Sequence, residues 1–217
     1  MCDDFRMPAP PPITVERLSP ATRGDYLAFF DHERGAAFSD NAAWARCYCQ
    51  FYRVPRALDW KAFTAEANRV AAAAAIACGE AEGYLAKAGG ETVGWMHAVP
   101  RHKLPHCFER MGIPPPPIDV APHDAAVIVC FVVAPAWRRR GVAAALLDAG
   151  LADLAARGIA LVDAFPFKAG ASTVATDHYH GPASLFASRG FEPVADHADL
   201  TVVRKRLAPA AREPATP

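Results

Sequence analysis

Apolar residues form one short run near the middle of the chain and then recur at helical spacing. The run from Val127 to Val133 is almost entirely apolar and rich in β-branched residues, which predicts a buried central strand. Pro135 follows it and ends the strand pattern. From Val142 onward, the apolar positions 142, 143, 146, 147, 150, 151 and 154 share one helical face. This spacing predicts an amphipathic helix over residues 141–157, with Gly158 at its exit.

The rest of the chain alternates between shorter strand and helix patterns. Gly89-Gly90 separates two strand-like segments and predicts a hairpin, whereas Asp59 predicts the start of a helix. The strand–helix–strand unit around residues 141–157 implies a right-handed crossover and a parallel strand pair. The predicted strands are 13–18, 83–88, 91–98, 126–133, 160–165, 191–194 and 200–207, and the predicted helices are 20–30, 60–78, 141–157 and a short one within 181–190.

Composition and charge limit the classes of partner. The 217 residues suffice for one domain with a substantial core, which we place at residues 13–207 between flexible segments 1–12 and 208–217. The 23 Lys and Arg residues balance 23 Asp and Glu residues, which disfavours a nucleic-acid partner. No apolar run approaches the length of a membrane span, and no secretory signal is recognisable. We therefore expect a cytoplasmic protein with reduced thiols, compatible with a homodimer.

The basic turn between the central strand and its helix is the main candidate for chemistry. A helix start offers unpaired backbone N–H groups and a positive dipole end, and the arginines of this turn add charge, so the site suits a pyrophosphate. No lysine followed by Ser or Thr stands after Gly141, so the turn is not a P-loop, and a three-glycine dinucleotide fingerprint is absent.

The segment Arg138-x-x-Gly141-x-Ala143, after a strand and V-x-P, resembles the R/Q-x-x-G-x-G/A signature of the GNAT superfamily of acyl-CoA-dependent N-acyltransferases. The order of elements from about residue 13 to 207 is similar as well. The resemblance implies the α/β GNAT fold, a twisted, mostly antiparallel sheet of about six to seven strands with a central parallel pair, flanked by about four helices. It also implies that acetyl-CoA is held by residues of the strand end and the turn, which are Phe131, Val132, Val133, Arg138, Arg139, Arg140, Gly141, Val142, Ala143 and Ala144.

The same resemblance implies an N-acetyltransferase that moves an acetyl group from acetyl-CoA to a primary amine of a small molecule or peptide. In such families the pantetheine arm lies between two parted strands, and here Phe131 and Val133 would offer backbone groups to its amides. A backbone N–H, by resemblance that of Val133, would polarise the thioester carbonyl. No Ser-His-Asp or Cys-His arrangement for an acyl-enzyme is identifiable, so we expect direct attack in a ternary complex, and we expect no metal.

The residues that move protons are less well marked. Leu185 to Phe191 resembles the L-Y-x-x-x-G-F segment of the same superfamily, but the tyrosine that protonates the departing thiolate in many relatives is Phe186 here. That role is absent, passes to water, or falls to a neighbour such as Tyr179 or His180. His97 and Asp163 are candidate bases for the amine; for His97 a histidine hydrogen-bonded within the sheet is the favoured alternative, and for Asp163 an outward-facing polar position is equally reasonable.

Alternatives remain open at this level. Phe186 also fits an acyl-CoA-binding sensor that has lost catalysis, a longer acyl-CoA could be the donor, and a protein unrelated to CoA could bind another phosphate at the arginine turn. Cys47 and Cys49 are expected to be packed thiols, with a zinc site that includes His178 and His180 as the less favoured reading. The aromatic residues Trp44, Tyr48, Tyr52 and Trp60 either wall an acceptor pocket or pack in the core.

Overall fold

The computed structural model of the protein describes residues 11–31, 45–168, 170 and 178–208. Most of the two segments predicted to be flexible, and Trp44, lie outside these residues. The described chain contains a seven-stranded sheet in the order β1-β2-β3-β4-β5-β7-β6. The strands are β1 Ile13–Arg17, β2 Tyr84–Ala88, β3 Glu91–Pro100, β4 Ala125–Val133, β5 Leu161–Ala164, β6 Glu192–Asp196 and β7 Thr201–Arg206.

Five α-helices are described beside this sheet: α1 Arg23–Phe30, α2 Ala65–Ala77, α3 Cys107–Met111, α4 Val142–Ala156 and α5 Ala183–Ala187. Only β4 and β5 pair in parallel, and the other neighbouring strands of the described sheet are antiparallel. The predicted α/β architecture with a central parallel pair is therefore confirmed. Within the described part of the chain, every helix is too short or too polar to cross a bilayer.

Two local predictions differ from the structure. The helix expected from Trp60 to Cys78 begins only at Ala65, where the Thr64 hydroxyl accepts a hydrogen bond from the N–H of Ala67. Asp59 instead caps a separate single turn of 3₁₀ helix, Trp60–Ala62, and Phe63 is extended between the two. The short helix α3 was not predicted, because five residues are too few to show a helical repeat.

The central parallel pair is short, and the two strands then part. Pairing joins Ala125–Ile128 of β4 to Leu161–Ala164 of β5, after which β5 ends and β4 continues to Val133. On its other side β4 stays paired with β3, but the register shifts between His97 and Ala98, so that Val129 is an extra residue. Such a bulge bends the strand and increases its twist. The result is a gap beside the last five residues of β4.

Helix α4 packs closely on one face of the sheet and is positioned by glycines. A Cβ atom added at Gly94 of β3 would lie 2.6 Å from Val142 Cγ1 and 3.3 Å from Leu146 Cδ1. Gly150 of α4 faces the sheet in the same way, since a Cβ there would lie 2.3 Å from Met96 Cε. The absence of these two side chains lets the first turn of α4 lie directly against β3 and beside the gap.

We predict that Gly94→Val destabilises the protein by about 1–3 kcal/mol, because the added methyl groups overlap Val142 and push the start of α4 off the sheet. Urea unfolding measures this loss. Gly24→Ala in α1 is the control, because a Cβ at that position meets nothing within 4 Å, and its stability should be unchanged or slightly higher. Equal stability of the two variants would contradict the close packing of α4.

Candidate active site

A cavity of about 840 Å³ opens where β4 and β5 part. Its lining comes from four places in the chain. These are the segment before α2 (Arg46, Cys47, Cys49, Phe51, Tyr52 and Trp60), the central strands (His97 and residues 130–133), the turn and first residues of α4 (Trp137, Arg138, Arg139 and residues 141–144), and the segment at α5 (His178, Tyr179, Gly181, Pro182, Ser184 and Leu185). The cavity thus includes most residues predicted to hold acetyl-CoA.

The turn before α4 presents a row of backbone N–H groups to this cavity. The first good intrahelical bond is from the N–H of Ala145 to the carbonyl of Gly141. Among the described residues, no N–H group from Arg139 to Ala144 makes a backbone hydrogen bond of good geometry. Gly141 has φ +82°, and a Cβ there would point into open space. These N–H groups and the helix dipole form a site for an anion.

The three arginines of the turn differ in position. Arg138 and Arg139 line the cavity, and Arg138 Nε also donates to the carbonyl of Val133 at 3.2 Å. Arg140 lies over the ring of Trp137 instead, with its guanidinium carbon 5.5 Å from the ring centre, and it is not part of the described lining. Arg139 has φ +62°, a left-handed conformation that turns the chain back toward the helix.

The free edge of β4 offers backbone groups to the gap. The N–H of Ala134 donates to Val93 of β3, so by strand alternation the N–H groups of Phe131 and Val133 point away from β3. That of Phe131 donates to the carbonyl of Tyr179, a contact from the segment before α5. A ligand in the gap therefore meets the N–H of Val133 directly, whereas that of Phe131 already has an acceptor.

His97 is buried at the bulge, opposite Cys130 of β4. His97 is only 3% exposed, and its Nδ1 atom has no hydrogen-bond partner among the described residues. Burial, and after it the positive charge of Arg53, lowers the pKa of His97 to about 3. The imidazole is therefore neutral at physiological pH.

Tyr179 and His180 are joined through a residue that sequence reasoning did not select as catalytic. The Tyr52 hydroxyl lies 2.6 Å from His180 Nε2 and 3.2 Å from the Tyr179 hydroxyl, and His180 Nδ1 lies 2.7 Å from the carbonyl of Phe165. Burial lowers the pKa of His180 to about 4. Tyr52 and Tyr179 both line the cavity. No short-range signal marks Tyr52, because its partners lie more than 120 positions away in sequence.

Asp163 lies away from these groups. Its carboxylate is fully buried and accepts two hydrogen bonds from Arg204, at 2.7 and 3.0 Å. Arg204 also donates to the carbonyl of Pro117, and Asp163 is not among the residues that line the cavity. The structure therefore brings His97, Tyr179 and His180 to one region and places Asp163 in a buried ion pair elsewhere.

Phe186 is also outside the cavity lining. It is fully buried, and its ring centre lies 6.1 Å from that of Phe131 and 5.2 Å from that of Phe191. Gly181 covers it, since a Cβ there would lie 3.2 Å from both the Phe131 and Phe186 rings. Phe186, at the position where many relatives have a tyrosine, thus packs against Phe131 and Gly181 of the cavity lining.

Three thiols line the cavity near His97. The indole Nε1–H of Trp95 donates to Cys49 Sγ at 3.1 Å, and Cys47 and Cys130 are the other two. Burial raises the pKa of Cys47 to about 12, and a hydrogen bond with Cys130, followed by burial, raises that of Cys49. Within the described chain, no group of three or more His, Cys, Asp or Glu side chains is arranged to hold a metal ion.

Comparisons with known proteins agree with this architecture. The acetyltransferase (GNAT) family matches residues 44–173, more than half of the chain. The fold is similar to that of an N-acetyltransferase from Staphylococcus aureus Mu50, with TM-score 0.53 and 14% identity over 91% of this chain and 99% of that one. It is also similar to PaiA N-acetyltransferase from Thermoplasma acidophilum in complex with coenzyme A, with TM-score 0.51 and 10% identity over 90% of this chain and 99% of that one.

A third similar structure is the ribosomal-protein-S18-alanine N-acetyltransferase from Escherichia coli, with TM-score 0.50 and 13% identity over 92% of this chain and 97% of that one. Identities this low show a shared fold, and no curated protein sequence matches the chain. The family match does not depend on them, and it confirms the resemblance seen at Arg138, Gly141 and Ala143. The chain belongs to the acetyltransferase (GNAT) family.

Proposed function

We propose that the protein transfers an acetyl group from acetyl-CoA to a primary amine of a small molecule or peptide. The observation that carries this proposal is the row of N–H groups from Arg139 to Ala144, which opens into the cavity beside parted strands. A pyrophosphate fits such a row, because it accepts several hydrogen bonds and is stabilised by a helix dipole. The complex of the similar PaiA protein with coenzyme A supports the same ligand here.

The residues present suit the remainder of the donor. Arg138 and Arg139 supply positive charge beside the N–H row, and Gly141 leaves open space where a side chain would stand. The gap beside β4 would take the pantetheine arm, whose amides can pair with a strand edge. The N–H of Val133 points into the gap and would polarise the thioester carbonyl.

Two of the three thiols in the cavity are poor candidates for an acyl-enzyme, which favours direct attack by the amine. A thiolate is the nucleophilic form of cysteine, and the raised pKa values of Cys47 and Cys49 keep both thiols protonated at neutral pH. The thioester is then open to the amine in a ternary complex. The attacking amine must be neutral, and its remaining proton must leave as the new C–N bond forms.

His97 suits a hydrogen-bonding role better than that of a proton store. With a pKa of about 3, its imidazole holds a proton poorly at neutral pH. A neutral ring in the cavity can still orient an amine or a carbonyl through one hydrogen bond. We assign Asp163 to stability, because it is bound to Arg204 outside the cavity.

Phe186 supports a second candidate, an acyl-CoA-binding sensor without catalysis. A phenyl ring has no proton to give, and Phe186 is buried outside the cavity lining. The two candidates share the donor site and differ only in turnover. A longer acyl-CoA as donor is a third possibility within the same site.

We predict that the protein releases CoA thiol from acetyl-CoA when a suitable amine is added. A thiol-reactive dye measures release with free amino acids, spermidine, an aminoglycoside and a peptide with a free N-terminus, and butyryl-CoA in place of acetyl-CoA tests the longer donor. Tight acetyl-CoA binding by calorimetry without release on any amine would support the sensor instead.

We predict that Gly141→Glu lowers affinity for CoA by on the order of 100-fold, because a carboxylate then stands among the N–H groups that would hold the pyrophosphate. Calorimetry measures the affinity, and the smaller thermal shift with CoA is a second readout. Gly158→Glu at the far end of α4 is the matched control. Gly158 also has positive φ (+86°) and open space around a Cβ, so backbone strain is comparable. Equal affinity of both variants would refute the pyrophosphate assignment.

We predict that stability falls on acidification partly through His97. Its pKa is about 3 in the folded chain against an ordinary value of 6.5, so below pH 6.5 the unfolded chain binds the extra proton first. Between pH 7 and pH 5 the unaltered protein therefore loses about 2 kcal/mol of its free energy of unfolding through His97, a loss that His97→Gln does not show. Urea unfolding of both proteins at the two pH values gives the difference, in which any constant effect of the substitution cancels. Parallel pH dependences would show that His97 is not held neutral.

A further inference from the structure

The hydrogen bonds around His180 have a fixed direction. The carbonyl of Phe165 can only accept, so His180 Nδ1, 2.7 Å away, carries the proton of the neutral imidazole. His180 Nε2 is then unprotonated and carries a lone pair, so the Tyr52 hydroxyl, 2.6 Å away, must donate to it. Because a tyrosine has one hydroxyl proton, the contact of 3.2 Å between the two tyrosines is a bond from Tyr179 to Tyr52.

The chain of bonds thus runs from the cavity into the protein interior. Tyr179 donates to Tyr52, Tyr52 to His180, and His180 to the carbonyl of Phe165. Since the hydroxyl proton of Tyr179 is engaged in the hydrogen bond to Tyr52, the Tyr179 oxygen can only accept any further hydrogen bond. A group in the cavity that approaches Tyr179 with an N–H therefore meets an acceptor that is linked through Tyr52 to the unprotonated Nε2 of His180.

The surrounding rings hold this arrangement in place. The ring of Phe167 stacks on His180 at 4.6 Å with an angle of 3° between the planes, and the Tyr179 ring meets its edge at 4.5 Å. His180 is 1% exposed and Tyr52 is 4% exposed, so the bond between them is shielded from bulk water. Burial raises the pKa of Tyr52 and lowers that of His180 to about 4, which keeps both groups neutral at rest and preserves the direction of the chain.

We propose that Tyr179, Tyr52 and His180 act as one proton relay, in which Tyr179 is the catalytic residue and Tyr52 and His180 are positioning residues behind it. This inference rests on the proposed acetyl transfer. As the neutral amine attacks, the C–N bond forms and the nitrogen proton passes to the Tyr179 oxygen. At the same time the Tyr179 proton passes to Tyr52 and the Tyr52 proton to His180 Nε2, where it stays only until the C–S bond breaks, because a lasting buried imidazolium would be costly.

The same relay completes the reaction in reverse. When the C–S bond breaks, the sulfur leaves with the bonding pair, and the proton returns from His180 through Tyr52 and Tyr179 to give the CoA thiol. The relay ends as it began, and the amide and the thiol are the only products. A single device then supplies both the base and the acid, which accounts for an active enzyme with a phenyl ring at position 186.

The test is Tyr52→Phe, which removes the middle hydroxyl and keeps the ring. With the best amine of the panel, kcat should fall on the order of 100-fold, the usual share of general acid–base catalysis, while the calorimetric affinity for acetyl-CoA stays unchanged. Tyr48→Phe is the matched control, because it removes a nearby tyrosine hydroxyl that donates to Asp31 and lies outside the cavity lining. Its kcat should match that of the unaltered chain.

Two further readouts separate proton transfer from simple packing. In mixtures of light and heavy water, kcat of the unaltered chain should follow a curved dependence on deuterium content, because several protons move together, and Tyr52→Phe should make it linear. His180→Gln offers an amide that can still donate and accept but cannot take up a proton, so its kcat should fall to a similar extent. If this variant does not fold, Tyr52→Phe decides alone.

The outcomes are distinct. A Tyr52→Phe protein with kcat within about threefold of the unaltered chain would overturn the relay and leave the acetyl transfer standing. The relay predicts a loss of about 100-fold, so the two outcomes are well separated. A linear dependence in the unaltered chain would overturn it as well. If the unaltered chain binds acetyl-CoA but transfers to no amine, the proposed function fails, and the relay fails with it.

Discussion

The site depends on one constraint, which is that β4 continues for five residues after β5 has ended. A buried strand edge needs partners for its N–H and carbonyl groups. Beyond the end of β5, the edge of β4 finds some of these partners in a loop and a side chain instead of a neighbouring strand. The backbone carbonyl of Tyr179 accepts from the N–H of Phe131, and Arg138 Nε donates to the carbonyl of Val133. The N–H of Val133 faces the gap. The bulge at Val129 turns the strand where this edge begins, and the close packing of α4 on Gly94 brings the helix start beside it. An opening for an extended ligand and an anion site at its end thus arise from the same strand.

The local parts of this arrangement were predictable. The apolar run, the proline and the amphipathic pattern after Gly141 each act within a few residues, so the sequence alone indicates strand β4, the turn and helix α4. The segment before α2 was predicted less well, because Asp59 and Thr64 are both good caps and only the extended Phe63 between them decides where the helix begins. The alanine-rich sequence that follows does not indicate this break, because alanine favours a helix at every position.

Long-range polar contacts could not be predicted. Asp163 interrupts an apolar strand, which fits a pocket as well as a buried ion pair, and only the neighbouring position of Arg204 on β7 decides between them. Likewise, nothing near Tyr52 in sequence indicates that its hydroxyl meets His180, because the contact joins the segment before α2 to the segment before α5. Burial makes such contacts obligatory once the fold has formed, but it does not reveal the partner beforehand.

The electrostatics of the cavity bear on how an amine would react there. The charged side chains that line it among the described residues are Arg46, Arg138 and Arg139, and no Asp or Glu is part of this lining. An ammonium ion that enters would therefore lose its hydration without gaining a described carboxylate as partner, which disfavours the charged form and would lower the pKa of an amine there. The neutral state of His97 and His180 fits the same environment, since a buried cation would be costly there. Under the proposed acetyl transfer, a cavity that attracts the anionic donor would thus also favour the unprotonated form of the acceptor, and the proton that remains to be moved would be the one lost after attack.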